Sequence, residues 1–228
     1  AFISGASFSD LYVVMCRTGE DGPKGVSTVM VENGTKGLSF GKLEDKMGWR
    51  AQPTAVVNFS DCRVPVENRI GPEGEGFKYA MRGLDGGRLN IAACALGGAQ
   101  DAFDRTVAYV KDRKQFGKAI AEFQVIQHRL VDMFMATEES VSMALLATIK
   151  LSESDTERAK AVAGAKVAIG KHGRLVGQNA VQTHGGMGVT DEMRVGHYFK
   201  RVTMIDATFG NVDYHLKRYI ALDQKVAA

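Results

Sequence analysis

Two hydrophobic patterns divide the chain near residues 70–76. Before this point, short runs of β-branched and apolar residues alternate with turn residues. The runs are Leu11–Arg17, Ser27–Glu32 and Ala55–Phe59. Such runs, separated by Gly, Pro and Asn, predict β-strands. After the division, apolar residues recur at three- and four-residue steps, which predicts amphipathic helices. One such stripe is Phe123, Ile126, Leu130 and Phe134.

The second pattern predicts five helices, near residues 75–112, 123–151, 155–183, 191–204 and 211–224. Ser154 followed by Glu157 fits a capping box at the start of the third helix. The first three helices are long and their links are short, as in an up-and-down bundle. We therefore predict a mostly α protein. A partial β-domain over residues 1–72 precedes a C-terminal up-and-down four-helix bundle over residues 73–228.

The composition narrows the function classes. Apolar residues make up 45% of the 228 residues and charged residues 24%, as in ordinary globular proteins. The net charge is +3 with acids and bases interspersed, so no nucleic-acid footprint is evident. No apolar run approaches the ~18 residues of a membrane span, and we expect no membrane partner.

Three cysteines, Cys16, Cys62 and Cys94, show neither paired nor metal-ligand spacing. We interpret them as three buried small apolar side chains in a reducing compartment, and we expect no metal site.

Two polar segments carry the candidate chemistry of the helical part. Arg113-Lys-Gln-Phe-Gly117 combines a cation, an amide and an aromatic ring. Gln182-Thr-His-Gly-Gly-Met-Gly188 places side-chain-free backbone at the end of a long helix, where a charged ligand can come close. A guanidinium forks onto phosphate oxygens, so a dinucleotide pyrophosphate is one ligand that fits. The alternatives are a solvated basic helix end and a plain glycine C-cap.

Seven motifs in one order make the chain similar to the acyl-CoA dehydrogenase family, from Phe2 to about Met204. The motifs are Phe2-Ile-Ser-Gly5, Lys46-Met-Gly-Trp49, Pro53-Thr54, Phe59–Pro65, Gly71–Phe77, Arg113–Gly117 and Gln182–Gly186. The resemblance implies an N-terminal helical domain, a middle β-domain and a C-terminal four-helix bundle. We therefore expect the chain to lack the first domain and the start of the second.

The resemblance also implies an activity. Members bind FAD between the β-domain and the bundle and oxidise acyl-CoA thioesters to trans-2-enoyl-CoA. An electron-transfer flavoprotein usually takes the electrons, and the subunits form dimers or tetramers. The segment from Phe2 to Ile70 is similar to members acting on short branched acyl groups such as isobutyryl-CoA, whereas the later segment resembles another subfamily. We expect a cytoplasmic location in a bacterium.

Site residues follow from the resemblance. The expected FAD-binding residues are Phe2, Ser4, Arg113, Gln115, Phe116, Gln182, Gly185 and Gly186. Arg113 would face the FAD pyrophosphate of a neighbouring subunit, and the Ser4 hydroxyl would reach flavin N5. Asp85 and Arg88 match a segment that lines the acyl-CoA cleft, although their spacing also suits an ordinary intrahelical ion pair. His184 is expected to be a structural hydrogen-bonding residue.

The chain departs from the family at the catalytic base. A positioned carboxylate must take the α-proton, and such a base is worth roughly 10²–10⁴ in rate. The two family positions for this Glu correspond to Gly210, or to Phe209 with a one-residue shift, and to Gly87.

Three interpretations of this departure stay open. In the first, Asp206 or Asp213 substitutes for the missing base. In the second, the chain is the base-lacking subunit of a heteromeric acyl-CoA dehydrogenase, since Gly210–Leu216 resembles such subunits in bacteria. In the third, the scaffold serves other chemistry, as an FMN-dependent monooxygenase or a non-catalytic structural subunit.

Overall fold

The computed structural model describes residues 2–226 of the chain. They divide into a β-rich unit, which ends at Gly83, and a helical unit, which begins at Leu84. The division falls inside the first long helix.

Short antiparallel strands build the β-rich unit. They are β1 (Ile3–Ser4), β2 (Leu11–Arg17), β3 (Val26–Glu32), β4 (Leu38–Phe40), β5 (Thr54–Ala55), β6 (Val57–Phe59) and β7 (Arg69–Ile70). The described strands pair as β1–β5, β2–β3–β7 and β4–β6. In the longest ladder Leu11 is opposite Glu32 and Arg17 is opposite Val26.

The first two predicted strands are confirmed as β2 and β3, but the prediction of one strand over Ala55–Phe59 was wrong. Val56 separates β5 from β6, because β5 pairs with β1 whereas β6 pairs with β4. The Val56 carbonyl instead accepts the Gly41 N–H at 2.9 Å. The chain therefore changes its pairing partner at this residue.

Five long helices dominate the rest of the described chain, and the mostly α fold is confirmed. They are α1 (Gly76–Asp112), α2 (Gln124–Ile149), α3 (Asp155–His184), α4 (Arg194–Ala207) and α5 (Val212–Val226). The Ser154 hydroxyl accepts the Glu157 N–H at 3.3 Å and caps α3. A hairpin of β8 (Lys114–Gln115) and β9 (Lys118–Ala119) links α1 to α2. No described helix is both long and apolar enough to cross a membrane.

Short 3₁₀ segments occupy several of the links. They are Pro23–Gly25, Val66–Asn68, Ile120–Glu122, Lys150–Ser152 and Gly185–Val189.

The helical core consists mainly of small residues, so its helices approach closely. One cluster contains Leu89, Ala92, Ala95, Ala147, Val162, Ala165, Ile169, Val202 and Ile205. The other contains Ala99, Ala102, Met133, Ala136, Val176, Ala180 and Val195. A Cβ on Gly177 would lie 3.3 Å from the Phe199 Cα, which shows how near α3 lies to α4. The central helix α3 contributes to both clusters, and the candidate residues Gln182 and Gly185 lie at its C-terminal end.

The interpretation of all three cysteines as buried was wrong. Cys94 is exposed, and Cys16 and Cys62 are only partly buried; all three are free thiols. The apolar stripe of α1 passes through Ala92 and Ala95 at a three-residue step. Cys94 lies off this stripe, so the helix turns its side chain away from the core.

Candidate functional site

The helical unit carries an open groove of ≈ 820 Å³. Its walls come from the end of α1, the β8–β9 hairpin, the start of α2 and the end of α3. Six of the residues expected to bind FAD line it: Arg113, Gln115, Phe116, Gln182, Gly185 and Gly186. The two candidate segments therefore meet within one chain, and no second copy is needed to bring them together.

Arg113 has a fixed backbone and a free side chain. Its N–H donates to the Tyr109 carbonyl at 2.8 Å, and its carbonyl accepts the Ile120 N–H at 2.9 Å. The side chain is exposed. Within residues 2–226, its guanidinium has no hydrogen-bond or ion-pair partner. A full positive charge therefore faces the groove without a protein counter-ion.

Phe116 sits at the tip of the β8–β9 hairpin in a strained conformation. Its φ is 54° and that of Gly117 is 81°, so both turn positions are left-handed, as in a type I′ turn. Glycine adopts this conformation freely, whereas it costs a side-chain-bearing residue roughly 1–2 kcal/mol. The ring is 92% exposed and meets Phe123 edge-on with centroids 6.1 Å apart. A strained backbone that presents an exposed ring points to a ligand contact.

The C-terminal end of α3 supplies the opposite wall. Gly185 ends the helix with a φ of 62°, and its N–H donates to the Gln182 carbonyl. The glycine C-cap interpretation is therefore confirmed. A Cβ built on Gly185 or on Gly186 would meet nothing within 4 Å. Open space above both residues lets a ligand approach the backbone directly.

A stacked pair of rings supports the groove between α1 and α3. The His184 ring stacks on Tyr109 with centroids 4.2 Å apart, and it is 3% exposed. Its Nδ1 lies 2.8 Å from the Ala180 carbonyl. Burial lowers the pKa of His184, and the Ala180 carbonyl only partly opposes this effect, so the ring is neutral at pH 7. The neutral ring donates through Nδ1, which is the structural hydrogen bond expected of this residue.

Sequence reasoning missed Tyr109 and Arg129, which also line the groove. Tyr109 lies one helical turn before Arg113. Arg129 follows Val125 and Ile126, both groove residues, by four and three positions, so it shares their helix face. This spacing is visible in the sequence, but nothing in the sequence alone shows that this face of α2 borders the groove.

The two positions expected for a catalytic base meet in space. A Cβ built on Gly87 would lie 3.3 Å from the Phe209 ring, which is the closest contact at that position. Phe209 and Gly210 form the turn between α4 and α5, with φ values of 58° and 104°. The Phe209 ring therefore covers the helix position where a longer side chain would start.

Buried cations hold this turn. Arg88 Nε donates to the Phe209 carbonyl at 3.1 Å. His215 Nε2 lies at the same distance, 3.1 Å, from this carbonyl oxygen. Lys166 Nζ donates to the Ile205 and Thr208 carbonyls, each at 2.9 Å. The cation at the end of α4 also complements the helix dipole. Burial lowers the pKa of Lys166, and the Asp206 carboxylate opposes this shift.

His215 is fully buried beneath the turn. Its pKa is lowered to about 4, chiefly by burial and also by the nearby cations Arg88, Lys166 and Arg218, while the hydrogen bond to the Phe209 carbonyl acts in the opposite direction. The neutral ring donates through Nε2.

The two substitute acids differ in availability. Asp206 is 6% exposed. Its Oδ2 lies 2.9 Å from Arg174 Nη2, and its Oδ1 accepts the Val212 N–H at 3.2 Å, so both oxygens are engaged. Asp213 is exposed in the first turn of α5, and its carboxylate has no partner among the described residues. The geometry favours Asp213 over Asp206 as a proton acceptor.

Asp85 and Arg88 form the intrahelical ion pair that their spacing suits. Arg88 Nη1 lies 3.0 Å from Asp85 Oδ1, and both Nη atoms of Arg218 lie 3.1 Å from the same oxygen. Both side chains are mostly buried. Their expected contact with acyl-CoA remains a prediction.

Phe2 and Ser4 belong to the β-rich unit. Phe2 is 75% exposed, and Ser4 lines a groove of ≈ 360 Å³ with Tyr12 and Phe59. Their expected places at the flavin ring also remain predictions.

Known proteins are similar to this chain in sequence and in fold. The family model of the acyl-CoA dehydrogenase middle domain matches residues 1–62, and that of the acyl-CoA dehydrogenase C-terminal domain matches residues 74–221. Mitochondrial isobutyryl-CoA dehydrogenase of Bos taurus is 46% identical over 200 residues, which cover 88% of this chain and 48% of that protein.

Two solved structures superimpose closely. Butyryl-CoA dehydrogenase of Megasphaera elsdenii gives a TM-score of 0.90 at 36% identity, over 96% of this chain and 57% of that one. An FAD complex of PigA superimposes with a TM-score of 0.88 at 28% sequence identity. The match covers 99% of this chain and 58% of the PigA chain. The chain spans about half the length of the curated relatives it matches. The family model of the C-terminal domain alone matches more than half of the chain, and the fold superimposes on a solved member of the family. This chain therefore belongs to the acyl-CoA dehydrogenase family.

Proposed function

We propose that the chain is part of an FAD-dependent acyl-CoA dehydrogenase, which oxidises an acyl-CoA thioester to its trans-2-enoyl form. The observation that carries this proposal is the groove, because it joins both candidate segments. The residues present fit the cofactor. An unpaired guanidinium suits a phosphate, an exposed ring suits a flat base, and open space lies above two glycines.

The chain's own residues would position the cofactor. Arg113 would donate to a phosphate oxygen, Phe116 would stack on or abut a ring, and the Gly185–Gly186 backbone would allow close approach. FAD, when bound, accepts the β-hydrogen of the substrate as a hydride. As substrate we propose a short acyl-CoA, because a relative at 46% identity is an isobutyryl-CoA dehydrogenase and one structural neighbour is a butyryl-CoA dehydrogenase.

The proton acceptor is proposed to come from a partner chain, as in a heteromeric enzyme. Three observations support this idea. The Phe209 ring lies against Gly87, so a Glu there would meet the ring. Gly210 has no side chain and a φ of 104°. Both oxygens of Asp206 are engaged. Asp213 is the remaining candidate within this chain.

Flavin bleaching tests both proposals. The full 228-residue chain, purified with FAD, is mixed anaerobically with isobutyryl-CoA and then with butyryl-CoA, and oxidised-flavin absorbance is followed. We expect slow or no bleaching alone and rapid bleaching after the product of a neighbouring gene is added.

Control variants separate the outcomes. Rapid bleaching by the chain alone that is lost in Asp213→Asn, but kept in Asp155→Asn on exposed α3 surface, would assign the base to Asp213 and refute the partner-chain proposal. A flavin that no acyl-CoA reduces, with or without the partner, would contradict the dehydrogenase function.

For the electron acceptor we propose an electron-transfer flavoprotein, and for the assembly at least a dimer. Substrate-dependent reduction of that flavoprotein tests the first, and sedimentation equilibrium of the purified chain with its partner tests the second. A monomer that turns over fully would contradict the assembly.

A further inference from the structure

We propose that Arg129 is a second phosphate anchor in the groove, and that together with Arg113 it selects a diphosphate over a single phosphate. This deepens the proposed function, on which it rests for the nucleotide nature of the ligand. Three observations carry it: the position of Arg129, the partner that holds it, and the charges around it.

Arg129 lies on the groove side of α2. It shares the helix face of Val125 and Ile126, and all three line the same groove as Thr183 and Gly185. Its side chain is half-buried, which limits its range of positions. A half-buried guanidinium on a rigid helix is better ordered than one on a mobile surface.

A neutral group holds Arg129 in place. Its Nη1 donates to the Asn179 side-chain oxygen at 2.6 Å. The Asn179 amide nitrogen in turn donates to the Leu175 carbonyl at 3.0 Å, which fixes the oxygen toward Arg129. A guanidinium has five N–H donors, and this contact uses one. Because the acceptor is an amide and not a carboxylate, Arg129 is oriented while its charge stays uncompensated.

The groove concentrates positive charge. Its described lining residues include two arginines, Arg113 and Arg129, and no Asp or Glu. His184 is neutral at pH 7 because burial lowers its pKa. Two guanidiniums without a counter-ion repel each other and attract anions. We infer that a diphosphate, with a separate set of oxygens for each guanidinium, bridges the two arginines, and that a monophosphate engages mainly one of them. The arrangement therefore suits FAD, which carries two joined phosphates, better than FMN, which carries one.

Binding of ADP and AMP to the full chain by isothermal titration calorimetry tests this proposal without flavin or acyl-CoA. We expect wild type to bind ADP at least ten-fold more tightly than AMP. Losing one charge-assisted contact weakens ADP binding in Arg129→Met roughly ten-fold or more, while AMP binding changes by less than about three-fold, so the ADP preference collapses.

Two further variants make the test specific. Asn179→Asp keeps Arg129 but pairs its charge with a carboxylate, and it is expected to weaken ADP binding as well. Arg158→Met removes a guanidinium that pairs with Asp155 outside the groove, and it is expected to leave both affinities unchanged. Circular dichroism confirms that each variant is folded.

The proposal is overturned if wild type does not prefer ADP, if Arg129→Met weakens ADP and AMP equally, or if Asn179→Asp has no effect on ADP. A chain that keeps the ADP preference but is never reduced by acyl-CoA would refute the dehydrogenase function and leave this inference standing.

Discussion

Acidification is expected to destabilise the helical unit through His215. The ring is fully buried and neutral, and its pKa falls from 6.5 to about 4 on folding. Between these pH values the unfolded chain binds a proton at this residue that the folded chain excludes, so stability falls as the pH drops from 6.5 toward 4. The cations Arg88, Lys166 and Arg218 around the ring make its protonation still less favourable.

The size of the effect follows from the shift. A difference of 2.5 pKa units corresponds to about 3 kcal/mol when complete, of which about 2 kcal/mol is reached near pH 5. The assay is urea denaturation of wild type and His215→Gln at several pH values. Gln keeps an amide donor for the Phe209 carbonyl and does not titrate.

The comparison isolates His215, because other titrating groups such as His184 are common to both proteins. We expect wild type to lose about 2 kcal/mol more than the variant between pH 7.5 and pH 5. Parallel losses would refute the claim that this histidine is buried neutral beneath the turn.

Three other changes test separate features. Phe116→Asn should relieve the left-handed strain at the hairpin tip, so we expect urea denaturation to show a gain in stability of about 0.5–1 kcal/mol. The same variant should bind FAD more weakly in a fluorescence titration. An unchanged FAD affinity would contradict the role of the ring. Lys166→Met should cost about 3 kcal/mol, because it leaves the carbonyls at the end of α4 without their cation, and a loss below about 1 kcal/mol in the same assay would contradict this. Ile205→Ala should lower the free energy of unfolding by about 2–5 kcal/mol through a core cavity, and a change within error would argue against the packing of α4 on α3.

Local patterns predicted the helices well. Their apolar stripes are long, and the Ser154 cap marks the start of α3, so the predicted and observed helices begin and end within about three residues of each other. The prediction of one strand over Ala55–Phe59 was wrong for a non-local reason. The two halves of this segment pair with different strands, β1 and β4, and the interruption at Val56 follows from those partners.

The candidate site was predicted where single segments carry a signal. Arg113 and the Gly185–Gly186 pair stand in recognisable motifs, and the structure places both on one groove. Arg129 was missed because its significance depends on Asn179, which lies on another helix.

The positions expected for the catalytic base show a second limit of prediction from the sequence. The sequence displayed each empty position separately, at Gly87 and at Phe209 or Gly210. The contact between the Phe209 ring and Gly87 required the structure, because a long stretch of helical chain separates the two residues.

A crystal structure of the chain with bound FAD would show whether the groove holds the cofactor. We expect the diphosphate to lie in the groove with its oxygens at hydrogen-bonding distances of about 2.7–2.9 Å from the Arg113 and Arg129 guanidiniums, above the Gly185–Gly186 backbone. Diphosphate density elsewhere, with both guanidiniums still facing solvent, would contradict it.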